Sequence, residues 1–177
     1  SLTEAEEARL TSRYIEGVKK LLKAGAETEN LDANRTSALI IAAGRGYSEI
    51  VKILLDAGAP VNGKNEYGLT PLISATDSSR GDPAQIETVN LLLTSGADPN
   101  AITSIKGYNC RTALMNPAWY GNVAVIRLLL AKKADVNLTC AGGDTPIMFA
   151  ARNRKIEAVQ ILLAAGADVS GKRGRRT

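Results

Sequence analysis

Apolar residues in this chain come in short bursts of two alternating kinds. The first kind is small and dense: SALIIAA from Ser37, TPLISAT from Thr70, TALMNPA from Thr112 and TPIMFAA from Thr145. The second is larger and more aliphatic: EIVKILL at 49–55, ETVNLLL at 87–93, AVIRLLL at 124–130 and EAVQILL at 157–163. Within the second kind, apolar side chains fall at i, i+3 and i+4, as at Ile50, Ile53 and Leu54. That spacing predicts an amphipathic helix. The first kind predicts a shorter helix. Thr-Pro places a hydroxyl cap and a fixed φ at its start, and its alanines let a neighbouring helix come close. Each long helix ends in a glycine able to take positive φ. Gly46 and Gly121 separate the two helices of their repeats in the same way.

The bursts are in register. Gly-Ala recurs at Gly25, Gly58, Gly96 and Gly166, with Lys133-Ala134 in the same place once, at spacings of 33, 38, 37 and 33 residues. A period in this range belongs to stacked repeats, each of which buries its apolar face only against the next. On these marks the chain resembles the ankyrin repeat family. The resemblance implies an all-α solenoid of stacked helix-turn-helix units joined by hairpin loops. It divides the chain into a cap at 1–31, repeats at about 32–64, 65–101, 102–138 and 139–171, and a basic tail at 172–177. In the cap, YIEGVKKLLKAGAE reads as an outer helix and TEAEEARL as a polar inner helix. Three features depart from the family pattern. The histidine after Thr-Pro-Leu is Ile40, Ile73, Met115 and Met148, Pro117 falls inside an inner helix where it should kink or delay it, and Lys133 replaces a glycine.

The two long spacings locate insertions. Five extra residues fall in TDSSRGDPAQIE, between the helices of repeat two, and four in AITSIKGYNCRT, the hairpin before repeat three. Solenoid insertions map to loops and often to the binding face, although loop length also drifts cheaply. Arg80-Gly81-Asp82 spells an integrin-binding tripeptide, too short a match to carry a reading.

Family members contact their partners through hairpin tips and the exposed face of the inner helix. Carried over by position, repeat one offers Ala33, Asn34, Thr36, Gly44 and Arg45; repeat two offers Glu66, Tyr67, Leu69, Asp77 and Ser78. Repeat three offers Lys106, Tyr108, Asn109, Arg111, Trp119 and Tyr120, and repeat four Ala141, Asp144, Arg152 and Asn153. The chain has seven aromatics, and four of them, Tyr67, Tyr108, Trp119 and Tyr120, fall on these positions. Aromatics and arginines dominate interfaces, so the partner-binding set is Tyr67, Leu69, Tyr108, Arg111, Trp119, Tyr120, Asp144 and Arg152. Tyr47 reads as structural, Phe149 as core and Tyr14 as part of the cap.

Composition narrows the function. The chain has no histidine, which excludes histidine triads and histidine metal ligands. It has no phosphate-binding glycine loop after a strand. Neither an enzyme nor a cofactor or metal site is expected. No apolar run is long enough to span a membrane. The net charge of +4 belongs to the tail, whose four basic residues leave 18 basic against 18 acidic in the body. Cys110 and Cys140 lie near hairpins of adjacent repeats. Helix stacking alone holds such positions further apart than a disulfide spans, and the inserted hairpin can close the gap, so bridged and free thiols both stay open.

The expected function is binding of a protein partner on the concave face by a monomeric adaptor or scaffold. Three alternatives stand beside it: an interaction domain of a longer protein, a nucleic-acid or nucleotide binder stacking bases on Trp119 and Tyr120 with Arg111 and Arg152, and a self-associating chain using its apolar last helix. The chain begins at Ser1, as a processed or trimmed chain does, and the compartment stays open between cytoplasm and export.

Overall fold

The computed structural model describes residues 4–29, 31–77, 81–103, 110–139 and 143–170. These form a helix followed by four helix pairs. Helix α1 spans Glu4–Lys23. Repeat one holds α2 (Ala38–Arg45) and α3 (Ser48–Asp56), and repeat two holds α4 (Pro71–Thr76) and α5 (Pro83–Thr94). Repeat three holds α6 (Met115–Tyr120) and α7 (Val123–Ala131), and repeat four holds α8 (Pro146–Arg152) and α9 (Ile156–Ala164). The short helices form an inner layer, and α1, α3, α5, α7 and α9 stack in order as an outer layer. Single antiparallel bridges, Leu31 with Ser37 and Ile102 with Thr112, close the described parts of two hairpins.

The alternation of burst types explains the layers. Ala42, Ala43, Ala75, Ala118 and Ala150 are buried where inner helices approach each other. Val51, Val89, Ile126 and Leu129 are fully buried on the outer helices. Each such aliphatic contributes about 1.5–3 kcal/mol by leaving water. In repeat four Leu162, the equivalent of Leu129, stays fully buried, while Leu163 beside it is 46% exposed and Val169, beyond α9, 72%.

Local capping follows the sequence in repeats one and two. Ser37 Oγ accepts from Ile40 N–H and Thr70 Oγ1 from Ile73 N–H. Repeat three differs. Thr112 makes no cap, and α6 starts at Met115, three residues after the threonine rather than one. Pro117 is the reason. The only turn in which its ring is harmless is the first, where its missing N–H has no helical acceptor in any case. In repeat four, Thr145 occupies the cap position without a side-chain bond.

The amino-terminal cap differs from its expected form. It is one continuous helix, not an inner and an outer helix. Residues 4–13 are mostly good helix formers with no glycine or proline to break them.

A ladder of asparagines runs along the array. Asn62 accepts from Asp98 N–H at 2.8 Å and donates to Gly96 C=O at 3.0 Å. Asn100 does the same to Asp135 and Lys133, and Asn137 to Asp168 and Gly166. The first junction has no such rung. Glu29 occupies the asparagine position, and Pro60 has no N–H to offer. A cavity of about 650 Å³, lined in part by Leu22, Ala26, Glu29 and Gly58, opens there instead. Asn100→Ala should cost about 1 kcal/mol, the net worth of an ordinary hydrogen bond. Urea unfolding measures this, and an unchanged midpoint would remove the ladder from the account of stability.

Among the described residues, three other than glycine sit in the left-handed region: Arg35, Lys133 and Arg154. Lys133 has φ 63°, where the matching Gly58, Gly96 and Gly166 have 85–90°. The left-handed conformation strains a residue with a Cβ, whereas glycine enters it freely. Lys133→Gly should therefore stabilise the fold by about 0.5–1 kcal/mol, once glycine's greater freedom when unfolded is deducted. A lowered urea midpoint would contradict this.

The inner layer is not continuous. Helix α2 packs on α4 and α6 on α8, but α4 and α6 barely touch. Both insertions fall at this junction, one after α4 and one before α6. The insertion in repeat two lengthens the outer helix: α5 has 12 residues, while α3, α7 and α9 have 9 each. Asp82 caps α5 by accepting from Gln85 N–H at 2.8 Å. The aspartate of the Arg-Gly-Asp tripeptide thus has a structural task, and Arg80 lies outside the described residues. Gln85, 3% exposed, ties the junction. Its Nε2 donates to Ala75 C=O, and its Oε1 accepts from Gly81 N–H and Asn122 Nδ2.

Candidate functional site

The concave face is built from equivalent positions of the inner helices and hairpins. One position reads Thr36, Leu69, Arg111, Asp144; a second reads Ile41, Ser74, Asn116, Phe149; a third reads Gly44, Asp77, Trp119, Arg152. Repeats one and two place no aromatic and no arginine there. Repeats three and four place aromatics and arginines.

Trp119 is 39% exposed and Tyr120 37% at the end of α6. Pro117 does not turn Trp119 into the core. The indole stacks across the repeat boundary on Phe149, with ring centroids 5.8 Å apart and planes tilted by 59°. Arg152 lies over the other partner of this pair, its Cζ 5.7 Å from the Phe149 centroid. Asp144 holds Arg152 through Nη2 at 3.3 Å. At the other end, Arg111 Nη1 contacts Asp77 Oδ1 at 2.7 Å and Asn116 Oδ1 at 3.3 Å. The Asp77–Arg111 pair spans the gap between α4 and α6. Backbone pairing of Thr103 with Arg111 fixes the base of the hairpin that carries it.

A continuous strip results. It starts at Asp77 and passes through Arg111, Asn116, Trp119 and Phe149 to Arg152 and Asp144. Asn116 and Trp119 are one helical turn apart, so they share a face. The strip is rigid in its middle and electrically balanced, with an arginine–aspartate pair towards each end. Cation–aromatic and aromatic pairs of this kind each contribute about 0.5–1.5 kcal/mol.

Of the expected contact residues, Arg111, Trp119, Tyr120, Asp144 and Arg152 come together here. Tyr67 stands apart on the tip of repeat two, exposed, its phenol raised above the usual tyrosine range by its hydrogen bond and charge interaction with Glu66. Leu69 is not an open contact residue. It is half-buried against the core, and its N–H donates to Asn65 Oδ1. Tyr108 lies outside the described residues, as do Lys106, Asn109, Ser78, Ala141 and Cys140. Cys110 is disulfide-bonded. Tyr47, read as structural, is 44% exposed. Phe149, read as core, is partly buried and packs against it, while its ring also meets Trp119 and Arg152.

Among the described residues no group of acidic or cysteine side chains is arranged to hold a metal. No described helix is long and apolar enough to cross a membrane.

A family model for ankyrin repeats, in three copies, matches residues 8–103 and 84–173. The chain belongs to the ankyrin repeat family. Ankyrin repeats are generally protein–protein interaction modules, and this ankyrin repeat chain has longer relatives. An ankyrin repeat and KH domain-containing protein of Caenorhabditis briggsae is 35% identical over 85% of this chain and 5% of its own length. The nuclear factor NF-kappa-B p105 subunit of Gallus gallus is 33% identical over 89% of this chain and 16% of its own. An ankyrin repeat, SAM and basic leucine zipper domain-containing protein 1 of Dasypus novemcinctus is 32% identical over 94% and 33%. The ankyrin chain thus spans a small part of these relatives.

Proposed function

We propose that this ankyrin repeat chain is a monomeric protein-recognition module, an adaptor or scaffold, that binds its partner on the concave face of repeats three and four. The supporting observation is the half-exposed Trp119, its ring set against the partly buried Phe149 and followed by the exposed Tyr120, in a chain with only seven aromatics. A solenoid core does not need a half-exposed tryptophan, whereas rigid aromatics with few rotors are what interfaces use.

The same strip weighs against nucleic acid. Its two arginines, Arg111 and Arg152, are each balanced by an aspartate, so the strip carries no net positive charge even though one edge of Arg111 stays open. Nucleic-acid binding draws on uncompensated positive charge and weakens steeply with salt. No reading here involves catalysis.

The test is capture of binding proteins by the wild-type chain and by a Trp119→Ala, Tyr120→Ala variant, with circular dichroism to verify folding. Loss of a captured protein from the folded variant is the expected result. Capture of the same proteins in the same amounts would move the site off this face.

A further inference from the structure

We infer that the Arg111 end of the concave strip is a carboxylate receptor, so that the partner presents an extended segment with an apolar side chain for Trp119 and Phe149 and an aspartate or glutamate for Arg111. This rests on the concave-face reading above and specifies the partner's chemistry.

The first observation is atomic. Both side-chain hydrogen bonds of Arg111 leave from Nη1, to Asp77 and Asn116. Its Nε–Nη2 edge has no acceptor among the described residues. That edge is the part of a guanidinium that matches a carboxylate with two parallel hydrogen bonds. The side chain as a whole is 36% exposed.

The second observation is rigidity. Asp77 comes from α4 and Asn116 from α6, and together they hold one nitrogen of the fork from both sides of the inter-repeat gap. The Thr103–Arg111 pairing fixes the backbone beneath. An arginine held this way loses little freedom when it takes a second anion. Asp77 does not compete for the open edge, because it already occupies Nη1.

The third observation is adjacency. Asn116 leads from Arg111 to Trp119 within one helical turn, and the indole leads on to Phe149. An acidic residue and an apolar one close together in an extended segment meet both features. Arg152 offers no equivalent second site: its Nη2 is taken by Asp144, which breaks the same two-nitrogen edge.

The experiment is selection of a random peptide library displayed on phage against the immobilised full chain. It is followed by calorimetry of the best synthetic peptide with wild type, Arg111→Gln and Trp119→Ala. Selected peptides should carry an acidic residue near a large apolar one. Arg111→Gln should weaken the best peptide about tenfold or more, the scale of a charge-assisted bidentate pair. Changing the peptide's acid to its amide should weaken wild-type binding equally and leave Arg111→Gln unaffected, which a merely structural role for Arg111 does not produce. Peptides without an acidic preference that still need Trp119 would overturn the receptor and leave the concave-face reading standing. Peptides indifferent to Trp119 would overturn both. An Arg111-dependent thymidine oligonucleotide, bound more tightly than any acidic peptide, would assign the edge to phosphate and overturn the inference.

Discussion

Leu129→Ala should lower the thermal midpoint of this protein by about 10 °C. Leu129 is fully buried in the last turn of α7, in the outer layer between α5 and α9. Truncating a buried leucine costs about 2–5 kcal/mol, because the transfer energy is lost and the cavity closes only in part. A fold of this size loses about 2–4 °C per kcal/mol. The position also matters. With α4 and α6 barely touching, the outer layer carries most of the cohesion between the two halves, and Leu129 is at its middle. Leu163→Ala is the control: the same residue type at a neighbouring register of α9, but 46% exposed. It should shift the midpoint far less. Equal shifts for the two, read by circular dichroism or calorimetry, would mean that the packing described for α7 is not what holds the array together.

Trp119→Ala should weaken partner binding by about 2–4 kcal/mol, a loss of thirtyfold or more in affinity. The indole presents a large rigid surface, and Phe149 fixes its orientation before any partner arrives. Tyr120→Ala should cost less. It is about equally exposed, but no described ring braces it, so part of its contact energy is spent on ordering. Neither change should unfold the chain, because neither side chain belongs to the buried set. Calorimetry with the captured partner gives the comparison. A Tyr120 effect larger than that of Trp119 would displace the centre of the site from the aromatic pair.

Much of this was readable from residues alone, and the exceptions have physical causes. The repeats were legible because two marks, Gly-Ala and Thr-Pro with its alanines, share one period. Their burial then follows from stacking. Trp119 and Tyr120 were legible because the alignment puts them on an exposed register. The continuous α1 was not, because nothing in a polar helical segment says whether it breaks once. The parting of α4 and α6 was not, because it lies between two insertions, within 76–87 and 101–112, that act on one junction. The Asp77–Arg111 pair joins residues 34 apart across that junction. Phe149 was legible as core from its apolar run, but its contacts with Trp119 and Arg152 were not, because they cross a repeat boundary or depend on a side-chain rotamer. Leu69 looks open from its hairpin-tip position, yet the side chain is half-buried against the core.

The asparagine ladder bears on how the molecule carries load. Three rungs bind repeats one to four through paired hydrogen bonds from asparagine side chains to backbone, and none reaches α1. Tension entering through α1 meets the packing of side chains such as Ile15 and Val18 against repeat one, beside an open cavity. Tension entering at α9 meets rungs in series. Pulled from both ends, the protein should give way first at its amino-terminal helix, before the concave strip is strained.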